Sequence, residues 1–531
     1  MPRPRPRPGA PRDDPDARPC RATAQGERKL HAHPDPRTAR PPAAYRRLRR
    51  DRHRAGGTPR RHQPGGRFRD RQSRTHGDRL PVGVGARTAH PGGGLDGGRD
   101  PGRGRGPAGD PAGGAAVNAR DARGRFRVAV TGIGVKTPAG NTPEEAFQTF
   151  LAAKSTAATV DRLVAEAVPV RFACLVPPFE PEAYLTRREA RQIDRVTLLA
   201  LCAAADAVTD ARLPGDLPPD RTGVQLGTGI GGLPSMEATA LDHGGFPMGM
   251  PVHTVPRTMT NSPACRIAMR FGFRGSCTTY ATACASGTTA LGEAARKIRH
   301  GELDVALAGG ADAPVTTVIM SGFARMRAVS LRNEEPWLAS RPFAADRDGF
   351  VVGEGAALLV LERWDLAVAR GARIHGEITG YADNCDAFHI VAPHKDGSVA
   401  AACMRSALAD AGLSPADVGH VNAHGTSTLL NDRAEAAAID RCFAGQSPPV
   451  TALKGVTGHL IGGSGALEAA LALRCASAGL VPAIANTRTS PEADVVDLVT
   501  GVPRTVRSAP VLSNSFGFGG QNACLVLSPA P

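Results

Sequence analysis

The chain has 531 residues, of which 41% are hydrophobic and 22% charged, as in ordinary soluble globular proteins. Its formal net charge is +15, but residues 1–126 contain 30 Lys or Arg against 12 Asp or Glu. The rest of the chain has 35 basic and 38 acidic residues, a net charge of −3, so its charge gives no reason to expect a polyanionic ligand.

The length of the apolar runs and the spacing of the cysteines exclude further classes of protein. No stretch approaches the length of a membrane span, and the N-terminus lacks the apolar core of a secretory signal, so we expect a cytoplasmic protein without membrane association. The 11 cysteines are scattered, without a CxxC pair or a Cys/His cluster at zinc spacing. We therefore expect reduced thiols and no bound metal.

Residues 1–126 are rich in Arg, Pro and Gly, and Tyr45, Phe68 and Phe126 are their only aromatic residues. Such a segment cannot bury enough apolar surface to offset the entropy of ordering, so we expect a disordered tail. Lys29 is its single lysine, and this arginine bias favours translation of GC-rich DNA ahead of the true start. An inert tail and a nucleic-acid-binding arm are the alternatives, although we expect no nucleic-acid partner.

Beyond Phe126 the pattern alternates between strands and helices. The run RVAVTGIGV predicts a buried strand, and a capping box over Thr142–Glu145 opens the first helix. A second capping box, Thr186–Glu189, begins a long helix that we predict to continue through TRREARQIDRVTLLALCAAADAVTDA. The strand VQLGTGIGG is glycine-rich, but the glycine spacing does not fit a dinucleotide fingerprint. The alternation predicts an α/β fold with largely parallel sheets.

The segment Cys277–Gly301 carries the candidate nucleophile. Strand-forming residues precede Cys284 and small, helix-favouring residues follow it, so the pattern predicts a strand that gives way to a helix at this cysteine. Free backbone N–H groups at the first turn of a helix favour a thiolate, which predicts a reactive thiol. The alternative is a buried structural cysteine, which is a common feature of proteins.

Two histidines follow predicted strand ends further along the chain. His424 ends the strand of VNAHGTST, and His459 follows Lys454 by five residues in LKGVTGHLIGGSGALEAALAL. An isolated histidine is usually structural, but α/β sheets build their sites at strand ends. One nucleophilic cysteine with two such histidines is a combination suited to acyl transfer through a thioester.

Five motifs resemble, in order and spacing, those of the elongating β-ketoacyl-[acyl-carrier-protein] synthases, over about residues 127–527: ATACASG around Cys284, RPFAADRDGFVVGEGA, NAHGTSTLLND, KGVTGH and NSFGFGGQN. This resemblance implies a thiolase-like layered αβαβα fold with two pseudo-duplicated halves, assembled as a homodimer. The half at 127–375 would carry the nucleophile, and the half at 376–531 would carry both histidines.

The resemblance also implies the roles of the central residues. Cys284 would accept an acyl group from the phosphopantetheine of an acyl carrier protein, so no cofactor need be bound by the enzyme itself. His424 and His459 would hold the malonyl thioester and stabilise the enolate formed when CO2 leaves, since an enolate oxygen needs preorganised donors. Lys454 would order the site around the histidines and Glu468.

Further residues match the family's supporting positions. The backbone N–H groups of Cys284 and Phe518 match an oxyanion hole, and the glycines around Phe518 match a gate. Thr426 and Thr428 match residues that bind the pantetheine arm. Leu429 stands where a proline is common, so pocket shape and the preferred acyl length are left open.

Several alternatives accompany this interpretation. A non-catalytic partner subunit of the chain-length-factor type would lack the nucleophile, so Cys284 argues against it. A priming synthase or thiolase would lack one of the two histidines. Within the condensing class we favour fatty-acid elongation, with a polyketide or another specialised lipid pathway as the alternative.

Overall fold

The computed structural model describes residues 119–243 and 247–531; the predicted disorder of residues 1–118 lies outside them. The strands are β1 Val128–Lys136, β2 Ala158–Thr159, β3 Phe172–Ala173, β4 Thr222–Gly227, β5 Cys277–Tyr280, β6 Val305–Asp312, β7 Gly355–Arg363, β8 Gly376–Cys385, β9 His420–Asn422, β10 Val450–Thr451, β11 Leu480–Val481, β12 Arg504–Thr505, β13 Val511–Gly517 and β14 Gln521–Pro529. The α-helices are α1 Pro143–Leu151, α2 Asp161–Ala165, α3 Arg187–Arg191, α4 Arg195–Ala211, α5 Leu233–His243, α6 Thr254–Thr258, α7 Ser262–Phe271, α8 Ser286–Arg299, α9 Thr317–Arg325, α10 Trp364–Ala369, α11 Ser398–Ala411, α12 Leu429–Phe443, α13 Lys454–Thr457 and α14 Ser464–Ala478.

Strand order shows an internal duplication. The large sheet runs β10-β9-β13-β14-β8-β1-β7-β6-β4-β5. Read outward from β1, two antiparallel pairings are followed by two parallel ones, and the same sequence of directions holds outward from β8. The two sets meet where β1 and β8 pair over two residues. The duplication and the layers of helices confirm the predicted thiolase-like fold. The expectation of largely parallel sheets was wrong, because five pairings of the large sheet are antiparallel and four are parallel.

In each half an outer helix packs closely on a strand of the sheet, and the two contacts involve corresponding atoms at nearly equal distances. A Cβ added to Gly132 of β1 would lie 2.2 Å from the carbonyl oxygen of Ala207 and 2.7 Å from Ala211 Cβ, both on α4. A Cβ added to Gly380 of β8 would lie 2.3 Å and 2.8 Å from the corresponding atoms of Ala407 and Ala411 on α11. Glycine is needed at both strands because the alanine faces of the helices approach the backbone directly.

Helices α8 and α14 lie between the two halves and are almost wholly buried. Their small residues permit a close approach at their first turns, since a Cβ on Gly465 would lie 2.1 Å from the hydroxyl oxygen of Thr288. Cys284 lies two residues before α8, and His459 lies five residues before α14. The duplication therefore brings the candidate nucleophile and a candidate histidine to one point.

Two further sequence expectations need correction. The capping boxes at Thr142 and Thr186 form as predicted, but the long helix is interrupted. Helix α3 ends at Arg191, and α4 starts anew because the Asp194 carboxylate accepts the backbone N–H of Val196 at 2.9 Å. Residues 119–126, assigned to the tail, contact the body, since Arg125 binds Asp410 at 2.6 Å.

The predicted boundary at 375/376 coincides with the first residue of β8, and as a domain division it stays a prediction. In the described part of the chain, no helix combines the length and the apolar character that crossing a bilayer requires.

Candidate active site

Cys284 lies in a short 3₁₀ turn, Ala283–Ala285, between β5 and α8. Ala283 adopts φ +50°, a left-handed conformation that costs a non-glycine residue energy and is typical of functional turns. Ser286 stabilises this turn, because its Oγ accepts the N–H of Thr282 at 2.9 Å and donates to the carbonyl of Ala283 at 2.6 Å. The strand, turn and helix predicted around Cys284 are therefore present.

The protonation state of Cys284 differs from the sequence expectation. Burial raises the pKa of its thiol to about 12, while the charge of Lys454 and the backbone N–H groups of Phe518 and Cys284 pull the pKa down by smaller amounts. Burial outweighs the turn's N–H groups, so the resting enzyme holds a thiol. The proton must then leave as the sulfur attacks its substrate.

His424 and His459 face this thiol. The candidate ligand atoms of Cys284, His424 and His459 all lie within 4.8 Å of one another, and the two imidazole rings meet edge to face with centroids 5.3 Å apart. Burial lowers the pKa of both histidines well below the usual value, and the Lys454 charge lowers it further. Both imidazoles are therefore neutral at physiological pH.

Lys454 determines the tautomer of His424. Its Nζ lies 3.2 Å from His424 Nδ1, and it donates to the carbonyl oxygen of His424 at 2.6 Å and to Glu468 Oε1 at 2.6 Å. An ammonium group has no lone pair, so Nδ1 must accept and the His424 proton must lie on Nε2. Burial raises the pKa of Glu468 to about 7, and Lys454 opposes that shift.

Two carboxylates that sequence reasoning missed support the loops of the site. Glu435 of α12 is fully buried and accepts the backbone N–H groups of His424 at 2.7 Å and Gly425 at 2.8 Å. Burial raises the pKa of Glu435 to about 7, against the lowering effect of these two bonds. An acidic residue within an otherwise buried helix face, as in RAEAAA, was the signal available in the sequence.

Asp312 is the second missed carboxylate. It accepts the N–H groups of Gly229 at 2.7 Å and Ile230 at 3.0 Å from one half of the molecule, and that of Gly462 at 2.7 Å from the other. The glycine-rich run GTGIGG thus surrounds an internal carboxylate, as such loops surround bound anions elsewhere. Asp312 joins the loops on either side of the Cys284 turn.

A cavity of about 450 Å³ opens onto the cluster and is lined by Cys284, His424, His459, Thr426, Thr428 and Phe518. Lys454 and Glu468, the other two predicted residues, lie behind it and are buried. The hydroxyls of Thr426 and Thr428 are 2.9 Å apart at the cavity wall. All eight sequence-predicted residues therefore come together, six on the wall and two behind it.

The three atoms of Cys284, His424 and His459 also form a possible ligand set for a soft divalent ion. The hydrogen bonding does not fit such an ion well. Lys454 directs the His424 proton to Nε2, so that nitrogen offers a donor instead of a lone pair, and the ammonium would repel a dication. The arrangement is better suited to bind an oxygen atom that gains negative charge.

A thiol with paired backbone N–H groups and two imidazoles, all lining one cavity, is the arrangement of an acyl-transferring enzyme. Two family descriptions match the chain: "Beta-ketoacyl synthase, N-terminal domain" over residues 125–367 and "Beta-ketoacyl synthase, C-terminal domain" over residues 375–488. The chain belongs to the β-ketoacyl synthase family, as predicted, and is an acyltransferase that forms carbon–carbon bonds.

Individual relatives agree with this assignment. A 3-oxoacyl-[acyl-carrier-protein] synthase 2 of Synechocystis sp. is 41% identical over 406 residues, which are 75% of this chain and 97% of that protein. The ishigamide ketosynthase/chain length factor structure is 35% identical, with a TM-score of 0.71 over 77% of this chain and all of that one. A type II polyketide ketosynthase, solved with its acyl carrier protein and bound to the hexaketide, is 30% identical, with a TM-score of 0.70 and the same coverage.

Proposed function

We propose that the protein is an elongating β-ketoacyl-[acyl-carrier-protein] synthase of fatty-acid synthesis. It condenses an acyl group held on Cys284 with malonyl carrier protein in a decarboxylative Claisen reaction. The observation that carries this proposal is the meeting of one thiol and two neutral imidazoles within 4.8 Å of one another on the cavity wall. No bound cofactor is needed, because the substrates arrive on phosphopantetheine.

Acylation comes first. Cys284 Sγ attacks the thioester carbonyl of the acyl carrier protein, the pantetheine sulfur leaves, and the Cys284 proton passes to that sulfur. The negative oxygen of the tetrahedral intermediate is assigned to the N–H groups of Cys284 and Phe518, which both point at the sulfur region. A thiol with a pKa of about 12 must lose its proton during the attack, and the leaving pantetheine sulfur is the group that takes it up.

Condensation follows. The malonyl thioester enters with its carbonyl oxygen between the Nε2 atoms of His424 and His459. The bond to the carboxylate breaks, CO2 leaves, and the electron pair forms an enolate whose oxygen these two N–H groups stabilise. The enolate carbon attacks the acyl carbonyl on Cys284 and expels the thiolate, giving a β-ketoacyl carrier protein, and the thiolate takes up a proton from solvent to restore the thiol. Thr426 and Thr428 are assigned to the pantetheine arm because they line the cavity wall.

The partner is an acyl carrier protein, and the surface at the cavity mouth supports this. Arg327 lines the cavity, and Arg325 and Arg433 lie within two residues of positions that line it. All three are exposed and form no ion pair within the described part of the chain. Beside them Leu429 and Leu430 are 60% and 63% exposed at the start of α12. Arginines without ion-pair partners beside two exposed leucines suit an acidic protein that binds there and places its pantetheine in the cavity. The cytoplasmic location expected from the sequence stays a prediction.

A homodimer is supported by an open sheet edge and an apolar surface. Strand β5 is the last strand of the large sheet, and its outer edge has no neighbour in the described chain. Next to it, helices α5 to α7 and their links expose methionines and valines: Met236, Met248, Met250, Met259, Met269, Val252 and Val255. An unpaired edge beside an apolar patch is the combination expected of a protein interface.

A specialised pathway is the second candidate. The curated relative is 41% identical over 75% of this chain, and the solved ketosynthase/chain length factor is 35% identical over 77% of it, so the two kinds of relative are similarly close to this chain. A ketosynthase that works with a chain length factor would need a second, different subunit. The exposed Leu429 and Leu430 at the mouth are also compatible with an unusual carrier protein.

The test is condensation by the purified chain alone. The enzyme is given malonyl carrier protein and acyl carrier proteins loaded with saturated chains of several lengths, and products are analysed by mass spectrometry. A β-ketoacyl product two carbons longer supports the proposal, and its preferred length distinguishes the pathways. No product from saturated chains unless a second ketosynthase-like subunit is added would favour the specialised pathway.

A further inference from the structure

Ser464, the first residue of α14, contacts His459 from the side away from Cys284. The Ser464 Oγ lies 2.9 Å from His459 Nδ1 and 2.9 Å from the backbone nitrogen of Leu460. The serine is buried, with 1% of its surface exposed, so water does not compete for these bonds. Neither the motifs nor the comparisons assign it a role.

The directions of these two bonds follow from what each atom can donate. The backbone nitrogen of Leu460 can only donate, so Ser464 Oγ accepts there and keeps its own proton for another acceptor. The other atom in reach is His459 Nδ1. If Nδ1 accepts, the imidazole proton lies on Nε2, which is buried and has no hydrogen-bond partner among the described residues.

We propose that Ser464 is a positioning residue that holds His459 in the tautomer with its proton on Nε2. This inference rests on the proposed function for its consequence, because only that tautomer can donate to the oxygen of the malonyl thioester and its enolate. His424 is held in the same tautomer by the ammonium of Lys454. The site therefore uses a charged donor for one imidazole and a neutral hydroxyl for the other.

The other half of the molecule provides an internal comparison. Ser286 opens α8 as Ser464 opens α14, and its Oγ accepts the N–H of Thr282, four residues earlier, at 2.9 Å. Its proton, however, goes to the carbonyl of Ala283. The two duplicated helices thus begin with the same serine arrangement, and in the second half the hydroxyl proton is directed to a histidine.

The consequence is limited to one chemical step. Loss of the hydroxyl frees Nδ1 to carry the proton, so His459 spends part of its time with a lone pair facing the cavity. Decarboxylation of malonyl carrier protein should then slow about 10-fold, as expected when one preorganised donor is weakened. The KM for malonyl carrier protein and the rate of Cys284 acylation should stay within about 2-fold, because carrier docking and the oxyanion hole do not involve Ser464.

The experiment compares the full-length protein with Ser464→Ala, Ser464→Cys and the control Ser477→Ala, a serine at the exposed end of the same helix. Ser464→Cys keeps the side-chain shape with a much weaker donor, so it tests the proposal even if the alanine variant folds poorly. Tautomers are read from ¹⁵N-histidine solid-state NMR, with His459→Gln used to assign the signals. Acylation and decarboxylation are timed separately by mass spectrometry and CO2 release.

We expect His459 to carry its proton on Nε2 in the wild type and in Ser477→Ala. In both Ser464 variants we expect a mixture of the two His459 tautomers, with decarboxylation slowed and acylation unchanged. An unchanged tautomer and rate in both Ser464 variants would overturn it, as would an equal slowing of acylation. If the tautomer shifts but even the wild type decarboxylates no malonyl carrier protein, the hydrogen bond is supported and the proposed function fails.

Discussion

Lys454 affects both the stability of the fold and the geometry of the site, and these two effects can be measured separately. Lys454 and Glu468 form a buried ion pair with 1% and 3% of their side chains exposed. A buried pair contributes little net stability, but removing one partner leaves the other charge without compensation. In this site the same lysine also orients His424, so stability and catalysis depend on one side chain.

We expect Lys454→Met to fold less stably by about 3 kcal/mol and to slow condensation at least about 100-fold, because Glu468 loses its partner and His424 its tautomer. Unfolding in urea and a condensation assay measure the two effects. The control is Lys297→Met, which removes a lysine that pairs with Glu302 on a surface loop. Condensation within about 3-fold of the wild-type rate in Lys454→Met would contradict the assigned role.

His420 predicts how stability depends on pH. Burial lowers its pKa to about 4, and neither ring nitrogen has a hydrogen-bond partner among the described residues. An unfolded histidine has a pKa near 6.5, so the unfolded chain binds this proton first as the pH falls. The contribution of His420 to stability is complete above about pH 6.5 and is lost progressively towards pH 4.

His420→Leu should therefore unfold with a weaker pH dependence, by about 3 kcal/mol over this window. Urea unfolding at several pH values measures the free energy of unfolding of the variant and of the wild type. Taking the difference between the two removes the effect of the other buried histidines. His300→Leu, at an exposed helix end, serves as the control for replacing a histidine by leucine. Parallel wild-type and His420→Leu curves would show that His420 is not held neutral.

The family motifs located six of the residues that line the cavity, among them Cys284, His424 and His459. Glu435, Asp312 and Ser464 could not be found in this way. Each acts through contacts with backbone or side chains whose position depends on the folded loops, as when Asp312 accepts N–H groups from loops more than eighty residues apart in sequence. For Cys284 the backbone N–H groups lower the pKa of the thiol, as expected, but burial raises this pKa further, and burial is not visible in a sequence.

Among the elements, the loop after β13 determines the geometry of the oxyanion hole. A Cβ added to Gly517 would lie 2.8 Å from the carbonyl oxygen of Thr282 and 3.1 Å from the backbone nitrogen of Cys284. No real side chain tolerates the shorter of these distances, so an added methyl group must displace the turn or the loop. The donor from Phe518, the next residue, would move with it.

We expect Gly517→Ala to slow acylation of Cys284 about 10-fold or more, because oxyanion-hole donors act only when accurately placed. The fold should persist, since the change affects one loop. Acylation is timed by intact mass, and melting temperature reports folding. Gly215→Ala is the matched control because its Cβ would meet no atom within 4 Å. Equal acylation rates in the two variants would contradict the assignment of this loop.

Element prediction succeeded where local signals dominate and failed where a tertiary contact intervened. Both capping boxes and the strand–helix change at Cys284 follow from neighbouring residues. The break between α3 and α4 does not, because Asp194 caps α4 while its other oxygen accepts the N–H of Ser235 at 3.0 Å. A contact with a residue forty positions away is not apparent from helical periodicity.

At the scale of the whole molecule, the duplication explains why the site is composite. Cys284 and Asp312 come from the first half, while His424, Lys454 and His459 come from the second. The sequence showed the alternation of elements, but the repeated strand order became evident only from the pairing of strands. The formal net charge of +15 does not represent the residues that the structure describes, because the excess of arginine lies almost entirely outside them.

Assembly gives the prediction at this scale. The carbonyls of Ser276 and Tyr280 accept N–H groups from the β4 side, so the alternating residues Cys277 and Thr279 direct their backbone groups to the open edge. We expect a dimer of the 55.1 kDa chain, and Thr279→Pro should weaken it without breaking the β4–β5 ladder. Sedimentation equilibrium measures the mass, with Thr278→Val as a control that keeps the edge.

A wild-type protein that sediments as a monomer at micromolar concentration would contradict the homodimer. A shift to twice the mass only when a different ketosynthase-like chain is added would instead favour the specialised pathway. The result therefore bears on both assembly and function.

The central claim is that Cys284 carries the acyl group, and intact-protein mass spectrometry tests it directly. The full-length enzyme and Cys284→Ala are incubated with acyl carrier protein and then with malonyl carrier protein. We predict that the wild type gains one acyl mass, located on Cys284 by peptide mapping, and loses it as a β-ketoacyl product two carbons longer appears. Acyl mass absent from Cys284, or an equal product yield from Cys284→Ala, would contradict the account.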